Sequence, residues 1–455
     1  MRKWIALLIV FFVLVGAIPF LASHSPFKQL ILAGVGAKYR ATITADSMEL
    51  SWLGPQQIHQ IQIESPDLDG TIESIRSSVP FWSISSFSKS MELKGGAFHI
   101  HTKNNQIASV ENVKATIRGA DIEASGITKE GAQVGEFSVI GQAVNPTLIN
   151  TDINLTATAT RMPTLLVDRL IHANGYLAAS IGSTFDFKAT AIIKNEKGTL
   201  DLFLDAEQAQ ANVFTSFTPD SITLRKPLSI AFQITPQLSE KLLKSANPLF
   251  LTGVQSKRPA LLNISDQGFF CPRPYSLPKL KIEDATLDLG QVRIQNGPSL
   301  ASLVSLLKSE NLANLRFMNA WFTPLPFSLK EGLLRTGRMD LLLADTVHIC
   351  TWGDIDLIHD RIDMNLGLPA DTLASAFGLN NLPSRYMMRI PIRGTTEEPE
   401  IITGPAAAKI AAMLAAQNIP KKAGAFGGLI NLFAPAVLDD SGDIPPAKRP
   451  FPWEK

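Results

Sequence analysis

Residues 337–368 read GRMDLLLADTVHICTWGDIDLIHDRIDMNLGL, and the spacing of their apolar positions decides the fold class. Met339, Leu341 and Leu343 share one parity, and Val347 and Ile349 continue the run. Trp352-Gly353 reads as a turn, after which come Ile355 and Leu357, then Ile362, Met364, Leu366 and Leu368. Side chains two apart lie on one face of a strand, so this stretch predicts a meander with one continuous apolar stripe.

Working outward, the same alternation recurs along most of the chain. Met48, Leu50 and Trp52 alternate with Glu49 and Ser51; beyond a turn at Gly54-Pro55, Ile61 and Ile63 alternate with Gln60, Gln62 and Glu64. Phe98 and Ile100 are interleaved with His99 and His101, and Val113, Ala115 and Ile117 with Lys114 and Thr116. Ile153 and Leu155, Phe185 and Phe187, residues 200–204, and Ile230 and Phe232 extend the pattern. Gly95-Gly96, Asn104-Asn105, Gly131 and residues 195–198 read as the intervening turns. The expectation is a mainly β chain of about fifteen to twenty antiparallel strands, apolar on one face and wet on the other.

Four stretches read as helix instead. Residues 27–38 place Leu30, Ile31 and Val35 on one side, 163–177 carry Leu166, Leu170 and Leu177, 300–315 carry Leu303, Leu306 and Leu307, and 406–416 are alanine-rich. Four prolines between 445 and 452 make 437–455 read as a flexible tail. The resulting segments are 1–22, a β-rich 23–270, a β-rich 271–402, a helical 403–436 and the tail, with the prolines at 272–278 as the weakest boundary.

Composition removes several function classes. Lys+Arg 42 against Asp+Glu 41 leaves no net basic charge for phosphates, so no nucleic-acid partner is expected. A hydrophobic share of 45% excludes disorder over most of the length. Two cysteines, Cys271 and Cys350, are too few for a zinc site; in an oxidising compartment they either form a disulfide or stay as two buried thiols. Arg2 and Lys3 precede an uninterrupted apolar run from Trp4 to Leu21. As a helix its 18 positions would reach about 27 Å, enough for a hydrocarbon core, so it reads as a transmembrane anchor with the body exported, a cleaved signal peptide being the alternative.

The search for an active site finds no phosphate loop, no nucleophile elbow and no metalloprotease motif. His99 and His101 share a strand face without a third ligand, and Asp354, Asp356, Asp360 and Asp363 lack the glycine and terminal glutamate of a calcium loop. Asn263-Ile264-Ser265 matches a glycosylation sequon by chance. No enzymatic activity and no cofactor are expected.

Gly353-Asp354-Ile355-Asp356-Leu357, Arg361-Ile362-Asp363-Met364 and the segment from Ile390 to Pro399 follow the order of a C-terminal module that resembles the AsmA-like bacterial envelope proteins. The N-terminal order of apolar run, short helix and a strand ending in Leu50-Ser51-Trp52 is similar to that family too. The resemblance implies an elongated, twisted antiparallel sheet forming an apolar groove, as in bridge-like lipid transfer proteins. It further implies a bacterial inner-membrane location with a periplasmic body, and phospholipid as partner. On that reading Leu341, Leu343, Val347, Ile349, Ile355, Leu357, Ile362, Met364 and Leu366 line the groove. The residues leave two alternatives open: a sheet closed upon itself as an ordinary core, and an assembly factor for outer-membrane or envelope proteins that binds no lipid.

Overall fold

The computed structural model describes residues 22–24, 26–65, 68–80, 90–100, 108–144, 152–171, 173–240, 253–295, 304–307, 315–396, 398–417 and 444–454. Over these the chain is mainly β, with 25 strands, and it divides into two compact units, Met1–Glu207 and Gln208–Lys455. The prolines at 272–278 lie inside the second unit, where Cys271 and Pro272 pair with Ile222 and Ser221, so they mark no boundary. The apolar run 4–21 lies outside the described residues, and among the described residues no helix is long and apolar enough to cross a membrane.

The first unit is a ten-stranded meander: β1 (Thr42–Glu49), β2 (Gln56–Glu64), β3 (Leu68–Ser77), β4 (Ser90–Ile100), β5 (Ala108–Arg118), β6 (Asp121–Glu130), β7 (Gln133–Val144), β8 (Asp152–Pro163), β9 (Thr184–Lys194) and β10 (Lys197–Ala206). Each strand pairs antiparallel with its sequence neighbours. The turns at Gly131 and 195–196 fall where the sequence places them. Gly95-Gly96 does not turn the chain: it lies inside β4, with Gly95 at φ 64, a left-handed conformation open to glycine at low cost. The extra residue is a β-bulge that shifts the strand's phase.

Similar irregularities stand at the same level on neighbouring strands. Gln60 (φ 50), Asn112 (φ 52) and Arg161 (φ 50) are left-handed in β2, β5 and β8, and the pairing slips beside the last two. They border a row that runs across seven strands, from Ile61 through Ile72, Gly96, Val113, Gly126 and Phe137 to Ala159. This seam keeps one face apolar on both sides. Met91 and Leu93 share a face with Phe98 and Ile100, and Val110 with Val113, only because one residue is inserted between them. Among the described residues of the unit, helices Phe27–Tyr39 beside β1 and Thr164–Leu170 and Tyr176–Ile181 after β8 accompany the sheet. The single helix expected over 163–177 breaks at Asn174 and Gly175, both left-handed. Asp168 bridges the break, its carboxylate accepting from the Gly175 N–H (2.8 Å) and the Ala178 N–H (3.0 Å).

The second unit begins with β11 (Ala209–Phe217), β12 (Ser221–Leu224), β13 (Leu228–Phe232), β14 (Gly253–Ser256), β15 (Ala260–Ile264), β16 (Cys271–Pro272), β17 (Ile282–Asp288) and β18 (Gln291–Gln295). It continues with β19 (Phe317–Phe322), β20 (Leu325–Lys330), β21 (Leu333–Leu343), β22 (Val347–Asp356), β23 (Arg361–Pro369), β24 (Met387–Gly394) and β25 (Pro399–Ile401). The long strand β21 forks the sheet. Its first half pairs with β20 and its last residues with β19, while β22 to β25 follow in order on its other edge. Trp352-Gly353 is no turn, because β22 runs straight through it and stays in register with β23. Helix Gly404–Gln417 falls on the alanine-rich segment, as propensity predicts. Helix Ala370–Phe377 was not expected, and of the stretch 300–315 only residues 304–307 and 315 are described. Residues 418–443, including the apolar 424–433, also lie outside the description.

Candidate functional site

All nine residues read as groove lining come together on one face of β21, β22 and β23, with Leu357 just past the end of β22. The face is covered by protein. Leu341, Leu343, Ile349, Ile355, Ile362, Met364 and Leu366 are each at most 1% exposed. Leu373 from helix Ala370–Phe377 and Ala406, Ile410 and Met413 from helix Gly404–Gln417 belong to the same cluster. These nine residues therefore build a closed core, the alternative the alternation had left open.

The first unit presents the opposite situation. Its apolar face is buried along the seam at Ile61, Ile72 and Ala159, but away from it Ile58, Ile75, Leu93, Ile122, Val139, Leu155, Ala191 and Leu202 are only half-buried. Among the described residues, helical cover reaches this unit at two places. Helix Phe27–Tyr39 lies along β1, and the pair after β8 buries Leu166 and Ile181 near the Ala159–Met162 end. Along the seam the face is smoothed by aromatic rings laid over glycines. A Cβ on Gly126 would stand 2.7 Å from Cε1 of Phe137, and one on Gly70 2.4 Å from Cδ1 of Phe98. The other face is mixed, with Glu136, Ser138, Asp186 and Lys188 alternating with the exposed Val134, Ile140, Ile192 and Phe203. Over the seam it carries an open depression of about 640 Å³ lined by Lys114, Ser125, Glu136, Ser138, Thr158 and Thr160 among others.

The groups with chemical potential have structural partners. His99 is exposed on β4, His101 lies outside the described residues, and no group of metal-ligating side chains gathers among the described residues. Asp354 pairs with Arg335 (3.4 Å), Asp363 with Arg393 (2.9 Å) and Asp356 with His359 (2.7 Å), while Asp360 accepts from the Thr396 hydroxyl (2.6 Å). Cys271 and Cys350 are both free thiols, on strands that are not neighbours. Burial pushes the Cys350 thiol up to about 12, which keeps it protonated and unreactive.

One cluster had no warning in the sequence reading. On the face of β21 and β22 opposite the core, Arg338 grips Asp340 through Nη2 (2.6 Å) and Nε (2.9 Å). His348 sits between two carboxylates, its Nε2 2.9 Å from Asp340 and its Nδ1 3.2 Å from Asp371. Burial alone would lower the histidine's pKa, but the hydrogen bonds to Asp340 and Asp371 outweigh it and the net shift is upward. Beside it the Thr372 hydroxyl is engaged, donating to the His348 carbonyl. Residues 444–454 form the lid. Phe451, 2% exposed, lies 5.0 Å ring to ring from His348 and stacks on Trp453, and Arg338 donates to the Pro445 carbonyl (3.3 Å). Over these residues the expected flexible tail is a packed strap, because its aromatics find a partner that proline content alone does not reveal. The available signal was Arg338, Asp340 and His348 breaking an otherwise apolar run.

No family model, curated protein or solved structure matches this chain.

Proposed function

We propose that the first unit holds phospholipid acyl chains against its apolar sheet face, and that the protein handles lipid in the bacterial envelope, in transport or outer-membrane homeostasis. The observation that carries this reading is the contrast between the two units. The apolar face of the second is closed by its own helices and strands, whereas that of the first is half-exposed on its strands away from the seam. Apolar side chains left half in water are a standing cost, and acyl chains relieve it without directional contacts, at about 0.8 kcal/mol per CH₂ buried. The seam supports the reading by carrying apolar side chains onto the same face on both sides of the bulges, as Met91 and Leu93 with Phe98 and Ile100 on β4. The apolar run 4–21, read as an inner-membrane anchor, would keep the face beside a source of lipid. The test is lipid mass spectrometry on the full-length chain, purified in detergent and washed free of bulk membrane. Phospholipid retained in stoichiometric amount is the expected result. A folded chain that carries none would favour the assembly-factor reading.

A further inference from the structure

The helix Phe27–Tyr39 touches the rest of its unit along a single stripe. Leu32 is buried, Gly36 is packed on the backbone at Ala41, and the Lys28 amine donates to the carbonyls of Ala45 and Asp46, both at 2.8 Å. These three positions are spaced i, i+4, i+8 and account for one narrow face. Apart from the exposed Gln29, the open part carries large apolar side chains: Phe27 is 53% exposed, Leu30 74%, Ile31 41% and Val35 47%. A helix whose free side is mostly apolar is not a surface helix of ordinary design, which turns a polar face to water.

A second exposed group lies at the same corner. Leu53, in the turn after β1, is 90% exposed. The Leu50 N–H at the base of that turn donates to the Ser23 hydroxyl (3.0 Å), tying the turn to the chain just before the helix. The uncharged run of 18 residues from Trp4 ends at Leu21, two residues before Ser23. The exposed helix face and the exposed turn therefore bracket the point where a stretch of membrane-spanning length meets the folded unit.

We propose that helix Phe27–Tyr39 and Leu53 form a membrane-docking patch, seated at the headgroup–acyl boundary of a phospholipid bilayer. Phe27, Leu30, Ile31 and Val35 enter the apolar side of that boundary, and the stripe of Lys28, Leu32 and Gly36 fastens the patch to β1. The unit is then held to the bilayer by a surface and not only by a tether. This inference stands apart from the acyl-chain reading of the sheet, since it uses none of the same residues.

The experiment uses the full chain reconstituted into vesicles of phosphatidylethanolamine and phosphatidylglycerol. Cys271 is replaced by serine, and the buried Cys350 is left in place. An environment-sensitive fluorophore is attached in turn through Leu30→Cys, Leu53→Cys and, on the face of β9 opposite the apolar one, Lys188→Cys. The first two sites carry exposed side chains, so labelling them leaves the core intact. The expected result is blue-shifted emission at 30 and 53, shielded from aqueous iodide and quenched by spin-labelled lipid, with the reverse at 188. Equal iodide access at all three sites would overturn the proposal, as would a chain that fails to associate with the vesicles. Shielding at 30 and 53 without quenching from lipid would also overturn it, because residues 1–21 or a second copy would then be the cover.

Discussion

Leu343 and Leu155 are the same residue type on strands of similar pattern, yet they stand in different surroundings. Leu343 is 1% exposed within a protein core, so aspartate there would have to be buried without a partner, at a cost of about 3–5 kcal/mol. Leu155 is half-buried on the open face of β8, where aspartate keeps access to water and the cost should be about 1 kcal/mol. Thermal unfolding should separate the two: a large fall in the midpoint for Leu343→Asp, little for Leu155→Asp, and lipid lost only in the latter. At His348 the sign of the pH effect follows from the raised pKa. Its contribution is fully present below the ordinary value of about 6.5 and is lost as pH rises through the higher folded value. The unfolding midpoint should fall over that window, and in His348→Gln this part of the slope should vanish; an unchanged slope would mean the ring does not hold its proton. Asp371, whose pKa is lowered first by the hydrogen bond to His348, loses its contribution only in acid, so the two windows do not overlap. Arg338, Asp340 and His348 stand close in sequence, but Asp371 lies 23 residues beyond His348 and Pro445 107 beyond Arg338, so only the fold shows the cluster and its strap.

Among the elements, the seam is the feature with the sharpest consequence. Deleting Gly95 removes the extra residue in β4 and should throw Phe98 and Ile100 onto the opposite face, since a one-residue slip inverts every side chain beyond it. The variant should aggregate on expression, and a soluble, fully folded product would contradict the phase-shift account. Alternation itself was plain in the sequence. The shift was misread because Gly-Gly is an equally good turn signal, and Gly131 and residues 195–198, which do turn, look no different locally. Helix Gly404–Gln417 was visible through its alanines, whereas Ala370–Phe377 spans only eight residues and leaves too short a period to detect. The stripe in 337–368 was read with the correct face. What lies over that face depends on helices with their own sequence signals, and alternation carries no information about them.

At the scale of the whole molecule, two units built from the same strand grammar differ in what they do with their apolar faces. In the second, helices Ala370–Phe377 and Gly404–Gln417, with Leu238, Val304 and Leu307, join the strands in one buried cluster. The central claim is that acyl chains lie on the first unit's face and not in the second unit's core. Photo-leucine carried throughout the full-length chain, irradiated in cells and followed by peptide mass spectrometry, tests it without disturbing either unit. The account predicts phospholipid adducts on peptides containing Leu155, Leu200, Leu202 and Leu204, and only protein cross-links at Leu341, Leu343 and Leu366. Lipid attached to the latter three, or to none of the former, would contradict it.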